Sequence, residues 1–257
     1  LAGFLPRVLH DRGMRRYVEA LASLLALTGL PYLVYVGLYW VLGPEGSPAE
    51  KDHDAEPTVS IVLPTYNEEG IVEAKLEELI SLDYPMEKVE VVVVDSSDDE
   101  TPELVEGFFA ERTAPELTLI REDERRGLAV ALNEAYAAAS NEMVVKTDCD
   151  SRIADDALRE AAANLADPDI GAVTGRNAEA LGGSEVEEGY RDVQAHIQTL
   201  ESHLDSTLIF HGPFSAFEND AVVPIDEDSI ADDTELALKI RKGGDRVLFD
   251  QIGRAHV

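Results

Sequence analysis

Lysine and cysteine are the scarce residues of this 257-residue chain. Six Lys accompany 15 Arg, and these 21 cations face 52 Asp and Glu, for a formal net charge of −31. Nucleic-acid binding draws on clustered Lys and Arg that displace counterions from phosphates. No such cluster is present and the overall field repels polyanions, which excludes a nucleic-acid partner. The single cysteine, Cys149, can form no internal disulfide, so the fold must hold without staples. A glycine-rich phosphate loop is missing too: Gly182-Gly183 and Gly243-Gly244 lack the flanking residues of the Walker or dinucleotide type and read as turns. Phosphate charge would have to be met by a metal, helix amino ends and a few Arg.

Hydrophobic residues make up 45% of the chain and come in organised runs, enough for one domain with a core. The acids are spread along the whole length rather than gathered in a tail. With Lys depleted, that pattern resembles proteins of salt-in halophiles, where salt screens the self-repulsion. An acidic mesophilic protein is the alternative, and loss of structure on dialysis into low salt separates the two.

Between Ala20 and Leu42 no residue carries a formal charge. A helix needs about 20 apolar residues to cross the hydrocarbon core, and Tyr32, Tyr35, Tyr39 and Trp40 gather toward one end as an interfacial belt would. The run is too long for the apolar region of a signal peptide and lacks a small-residue cleavage site. The expected organisation is a juxtamembrane segment over 1–17, a transmembrane helix over 18–42 kinked at Pro31, a Gly-, Pro- and charge-rich linker over 43–57, and a soluble domain over 58–251. Arg7, Arg12, Arg15 and Arg16 before the span and acids after it, taken alone, place the amino end inside and the domain outside.

In the soluble part, the β-branched runs Val59–Leu63 and Glu90–Val94 are each followed by helical periodicity. The first helix carries Ile71, Val72, Leu76, Leu79 and Ile80, and the second spans about Pro102–Arg112. Further strands are expected at Leu117–Ile120, Met143–Thr147, Ala172–Thr174 and Val247–Phe249, with helices at Ala129–Ser140, Asp155–Ala166 and Glu185–Leu208. Alternating strands and helices predict an α/β fold with a doubly wound, mostly parallel sheet, whose ligands lie outside the carboxyl ends of its strands.

The polar residues at those ends are acids. Pro64-Thr65-Tyr66-Asn67-Glu68, Asp95-Ser96-Ser97-Asp98-Asp99 and Asp148-Cys149-Asp150 each follow an apolar strand. Converging carboxylates are most easily kept ionised by a bound cation, and hard oxygen ligands favour Mg²⁺ or Mn²⁺. Past a strand end alternate residues can point to one side, so Asp148 and Asp150 can address one ion. The same spacing recurs at Asp167-Pro168-Asp169 and Asp226-Glu227-Asp228, but only Asp148 and Asp150 directly follow an apolar strand. Cys149 between them reads as a packing residue. Downstream, Ile230–Ile240 begins with acids and continues as a helix with Leu236, Leu238 and Ile240 partly buried. Asp232 suits an ordinary N-cap, and equally the pair Asp232-Asp233 could supply a general base toward an acceptor hydroxyl.

The order of these motifs resembles the family 2 glycosyltransferases, inverting enzymes of GT-A fold that transfer a sugar from a nucleotide-sugar to an acceptor. Pro64–Glu68 looks like the family's P-x-Y-N-E, and Val91–Thr101 like its V-V-V-x-D-G-S-x-D-x-T with Ser96 in place of Gly. Arg126-Gly127-Leu128-Ala129 through Asn133 is similar to G-G-K-A-x-A-L-N, and Asp148-Cys149-Asp150 to the metal-binding D-x-D. Gly212–Phe217 is similar to the acceptor-side strand, and Asp232–Leu236 to the E-D-x-x-L helix. The resemblance implies that Thr65, Tyr66 and Glu68 line the nucleotide pocket and that Asp95 hydrogen-bonds the base or ribose. It further implies that Asp150 ligates Mg²⁺ or Mn²⁺ with Asp148 near the sugar phosphate, and that Asp233 deprotonates the acceptor. His211, Gly212 and Asp232 are expected on the acceptor side, and Gln194, His196 and Gln198 face either acceptor or core. Leu128 departs from the family's Lys, whose contact to the donor is lost or taken by Arg125 or Arg126. Ala216-Phe217-Glu218-Asn219 lacks the Arg after the aromatic.

The resemblance further implies a polysaccharide-synthase-like branch anchored in the cell membrane. Its partners would be a nucleotide-diphosphate sugar, a glycan or lipid-linked acceptor, and membrane lipid. Because nucleotide-sugars are cytoplasmic, the domain is expected inside, against the Arg asymmetry. Ile252–Val257 matches the in-frame translation of a sequencing adapter and is expected to be a non-native tail on a truncated fragment. Two other readings stand beside the transferase. A sugar-nucleotide nucleotidyltransferase would show a basic, Gly-rich loop near the first strand, and Pro64–Gly70 has none. A non-catalytic carbohydrate-binding protein would tolerate Asp150→Ala and Asp233→Asn.

Overall fold

The computed structural model describes residues 12–42, 46–175, 185–250 and 252. The start of the juxtamembrane segment, residues 43–45 of the expected linker and residues 253–257 of the expected tail lie outside them. The chain divides before Gly46 into two units.

Among the described residues the first unit holds one helix, α1 (Arg12–Leu42), with Pro31 inside it. It takes in the last part of the expected juxtamembrane segment, where Arg15 Nε pairs with Glu19 Oε1 one turn on at 2.8 Å. Leu21, Leu24, Leu27 and Leu33 are all exposed. The stretch Arg15–Gly37 is long and apolar enough to cross a membrane by length and composition.

The second unit is built on a seven-stranded sheet. Its strands are β1 (Val59–Thr65), β2 (Val89–Asp95), β3 (Glu116–Arg121), β4 (Met143–Lys146), β5 (Ile170–Thr174), β6 (Ser215–Glu218) and β7 (Arg246–Phe249), in the order β3-β2-β1-β4-β6-β5-β7. All pairs are parallel except those of β6, which runs antiparallel to both β4 and β5. The expected doubly wound, mostly parallel sheet is thus present, with one reversed strand inserted.

Alternation along the strands feeds two cores. Ile61, Leu63, Val91, Val93 and Val145 pack against α2 (Val72–Ile80), α3 (Thr101–Phe109) and α5 (Ala157–Leu165). Val62, Val92, Val94 and Val144 pack against α4 (Leu128–Ala138) and α7 (Asp232–Gly243) on the other face. Burial on both faces explains the apolar runs Ile61–Leu63 in β1 and Val91–Val94 in β2. On α7, Leu236 and Ile240 are buried one turn apart, while Leu238 points away and is 47% exposed, correcting the expectation that it is partly buried. Ile71 lies just before α2 and is exposed. The remaining helix, α6 (Glu185–Leu204), meets β7 through Phe249 N, which donates to Ser202 Oγ at 2.7 Å.

Part of the segment read as linker is tied to the domain. Glu50 N donates to Asp167 Oδ2 at 2.8 Å, Lys51 bridges Glu160 and Asp250 at 2.8 and 2.6 Å, and Tyr84 donates its hydroxyl to Pro57 O at 2.6 Å. Ile252, assigned by sequence to the tail, is buried in the first core.

β1 is flanked by β2 on one side and β4 on the other, so the chain's path across the sheet reverses between β1 and β4. That switch point opens a crevice beyond the carboxyl ends of these two strands.

Candidate active site

The loops after β1 and β2 are laced together by the motif residues themselves. Thr65 and Asp95 are register partners, and Thr65 Oγ1 donates to Asp95 Oδ2 at 2.6 Å. Ser97 donates its hydroxyl to the same oxygen and its N–H to Asp95 Oδ1. Asn67 takes a left-handed backbone, φ 56°, which Asn tolerates better than most residues; its N–H reaches Ser97 Oγ and its Oδ1 accepts from Asp98 N. Asp99 closes the lacing by accepting from Thr101 and from Glu69 N.

This scaffold forms one wall of a cleft of about 290 Å³ at the β1/β4 crevice, lined by Thr65, Tyr66, Glu68, Ser96, Arg125, Leu128, Asp148 and Asp150 among others. Five sequence-predicted residues, Thr65, Tyr66, Glu68, Asp148 and Asp150, therefore share one cavity. Asp95 stands behind the wall rather than in it. It is buried and absent from the lining, and its carboxylate is engaged by Thr65 and Ser97. In this geometry its carboxylate supports residues that face the cleft.

Of the two arginines available to replace the family's Lys, Arg126 is spent on the surface, paired with Glu122 and Glu134 at 2.8 and 2.5 Å. Arg125 lies over the Tyr66 ring, 4.0 Å from its centroid, and lines the cleft.

The acceptor-side residues approach Asp148 through a lysine that sequence reasoning passed over. Lys146, the last residue of β4, is 2% exposed. Its Nζ lies 2.9 Å from Asp148 Oδ1, 3.0 Å from Gly212 O and 3.5 Å from Asp233 Oδ1. A charge ending an apolar strand reads as a strand terminus, and nothing local in the sequence marks this lysine as one of the rare buried ones. Gly212 sits against the same group: a Cβ built on it would stand 2.9 Å from Asp148 Oδ2 and 3.2 Å from Asp233 Oδ2. His211 is held by Gln198, Nε2 to Oε1 at 2.7 Å, and packs edge-on to Phe249. Gln198 is thus buried as a support for His211, whereas His196 is exposed. Asp232 is not an N-cap. Ala231 holds that position without a side-chain cap, Asp232 is the first helical residue, and its Oδ2 is buried without a hydrogen-bond partner.

The electrostatics follow from crowding of like charge. Burial pushes Asp233 above the usual carboxylate range despite the opposing pull of Lys146, and Asp232 and Asp148 add to the rise. For Lys146 burial acts downward, but Asp233 and Asp148 more than offset it and the ammonium is raised. Burial, then Asp150 and Asp99, lifts Glu68. The Cys149 thiol is pushed up to about 12, first by burial and then by Glu68, as suits a packing residue.

Among the described residues no three His, Cys, Asp or Glu side chains converge to cage an ion. Asp148 and Asp150 on the cleft offer two carboxylates. That set fits a divalent ion completing its shell with phosphate oxygens and water rather than one held by protein alone.

The family described as Glycosyl transferase family 2 matches residues 60–223. The poly-beta-1,6-N-acetyl-D-glucosamine synthase of Staphylococcus epidermidis is 28% identical over 232 residues, 81% of this chain and 55% of its own; that of Staphylococcus aureus is 26% identical over 242 residues, 86% and 58%. The chain thus spans little more than half the length of these curated relatives. Among solved structures, the mannosyltransferase PcManGT of Pyrobaculum calidifontis, in complex with GDP-Man and Mn²⁺, is 36% identical with a TM-score of 0.79, covering 91% of this chain and 66% of that one. TarS of S. aureus, solved as residues 1–349 with UDP-GlcNAc, shares the fold at 23% identity and a TM-score of 0.57, covering 75% of this chain and 56% of that one.

Proposed function

The chain belongs to glycosyl transferase family 2, and from that premise we propose that its cleft binds a nucleotide-diphosphate sugar and transfers the sugar, with inversion, to a hydroxyl of a glycan or lipid-linked acceptor. The observation that carries this reading is the convergence of acids from two separate segments at one crevice: Asp148 and Asp150 line it, and Asp233 reaches Asp148 through Lys146 and Gly212.

The roles follow from placement. Thr65, Tyr66 and Glu68 hold the nucleotide, with Asp95 and Ser97 fixing that wall from behind. Arg125 meets the diphosphate from the cleft mouth. Asp148 and Asp150 would hold Mg²⁺ or Mn²⁺, which when bound supplies positive charge to the departing diphosphate. Asp233, at the amino end of α7 and raised by burial, accepts the proton of the acceptor hydroxyl as its oxygen bonds to the anomeric carbon and the bond to the diphosphate breaks on the opposite face. His211, Gly212 and Asp232 border the acceptor. α1 is proposed to anchor the protein in the cell membrane, with the catalytic domain on the cytoplasmic side where nucleotide-sugars are found. The dispersed acidic surface is proposed to be an adaptation to high salt.

The test is release of a nucleoside diphosphate from purified protein in high salt with Mg²⁺ or Mn²⁺. GDP-mannose comes first, because the solved relative at 36% identity holds it, and UDP-GlcNAc second. Asp233→Asn should abolish release while still binding nucleotide with metal. A wild-type protein that binds none of the donors, or an Asp233→Asn variant that turns over normally, would sink the reading.

A further inference from the structure

Lys146 extends from a fixed point. Its backbone pairs with β1 at Val62 and with β6 at Ser215, so both sides of the strand are held. Its ammonium has three N–H donors, and three acceptors meet it, each from a different segment: Asp148 Oδ1 of the loop after β4, Gly212 O of the turn before β6, and Asp233 Oδ1 of the first turn of α7. A buried ammonium demands such partners. In each carboxylate Lys146 takes Oδ1, and in each the other oxygen, Oδ2, lies close beside Gly212, where only the lack of a Cβ admits both.

We propose that Lys146 is a positioning residue that sets the orientation of the base against the donor side. By holding Oδ1 of Asp233 it leaves Oδ2 as the oxygen that receives the acceptor's proton, and by holding Oδ1 of Asp148 it fixes how far the two sides stand apart. This rests on the transferase reading for its chemistry. The link itself is a property of the folded chain.

The experiment compares Lys146→Met, Asp233→Asn and the double variant in the full chain at high salt. It reads kcat and donor KM, the Kd of GDP with Mn²⁺, and the melting temperature. Lys146→Met is expected to lower kcat about 30-fold or more while donor KM and the GDP Kd change by less than about threefold, the split of an interaction that matters only in the transition state. Removing Lys146 leaves two carboxylates crowded, so Lys146→Met should melt lower, and Asp233→Asn in that background should restore part of the loss, giving a double variant less impaired than the two singles predict. If Lys146→Met does not fold, Lys146→Gln keeps a donor for Gly212 O without the charge and should show the same kcat split. A kcat within about threefold of wild type, or strictly additive melting changes, overturns the proposal. The melting cycle needs no donor, so a wild type that turns over nothing fails the transferase reading, while additivity fails the lysine alone.

Discussion

The guanidinium of Arg125 lies 4.0 Å above the ring of Tyr66, joining the loop before α4 to the loop after β1 across the mouth of the cleft. Arg125 makes no ion pair among the described residues, so the stack presents its N–H groups to whatever enters while the ring holds the plane. Arg125→Ala should raise donor KM about tenfold, roughly the 1.4 kcal/mol of one charge-assisted hydrogen bond to a phosphate oxygen, with kcat little changed. Arg125→Lys keeps the charge but loses the planar stack and should recover only part. Initial-rate kinetics over a donor series decide it; an unaltered KM in the alanine variant removes Arg125 from the donor site.

Gly212 has no room for a side chain. Its Cβ would stand 2.9 Å from Asp148 Oδ2, 3.2 Å from Asp233 Oδ2 and 3.4 Å from Lys146 Nζ, so in Gly212→Ala the acids must move apart. A displacement approaching 1 Å between donor and base sides costs about 100-fold in rate, and that is the expected fall in kcat. The melting temperature should shift only slightly, because half-exposed side chains can turn aside. A variant with normal turnover would show that close packing at Gly212 does not set the distance between the two acids.

These two positions show where the sequence was readable. β1 and β2 were legible because strands buried on both faces must be mostly apolar, and the acids after them stood out against that background. The four-residue β6 carries no such pattern. Ser215-Ala216-Phe217-Glu218 lies inside the sheet because β4 and β5 flank it, and only the family resemblance pointed there. The support given by Asp95 to Thr65 depends on a register that pairs residues 30 positions apart, which no local period reveals. Lys146 was hidden for a related reason: its three partners come from segments whose meeting is a fact of topology. The segment at 46–57 looked like a linker by composition because its hydrogen bonds are made by backbone groups and long side chains to distant segments, not by an apolar run.

Tyr84 gives a pH signature remote from the site. Its hydroxyl donates to Pro57 O at 2.6 Å, and burial, followed by the charge of Glu56, pushes its pKa up to about 12 from 10.0. Because the folded value is the higher one, the folded state keeps this proton after the unfolded chain has lost it. The stability contributed is complete below about pH 10 and is lost as pH rises from 10 toward 12. Denaturation midpoints measured through that window should fall more steeply for wild type than for Tyr84→Phe. Parallel curves would mean that this phenol titrates like an exposed one.

Charge balance supplies the last prediction. Lys51, Lys75, Lys88, Lys146 and Lys239, five of the six lysines, each lie within 4 Å of a carboxylate. Those cations are already engaged, and the bulk of the 52 acids must repel one another across the surface. Exposed ion pairs are worth about 0–1 kcal/mol each, so weakening them with salt costs little. The screening length falls from about 10 Å at 0.1 M to about 3 Å at 1 M, which removes most of the long-range repulsion. The balance therefore favours the folded state as salt rises, and the melting temperature should climb by about 10 °C or more between about 0.1 M and 2 M KCl. Sucrose, which strengthens apolar burial without screening charge, should give a smaller rise than KCl when matched for osmotic strength. A flat or falling curve in KCl would make the acidic surface that of an ordinary mesophilic protein, and an equal response to both solutes would assign the effect to the core rather than to charge.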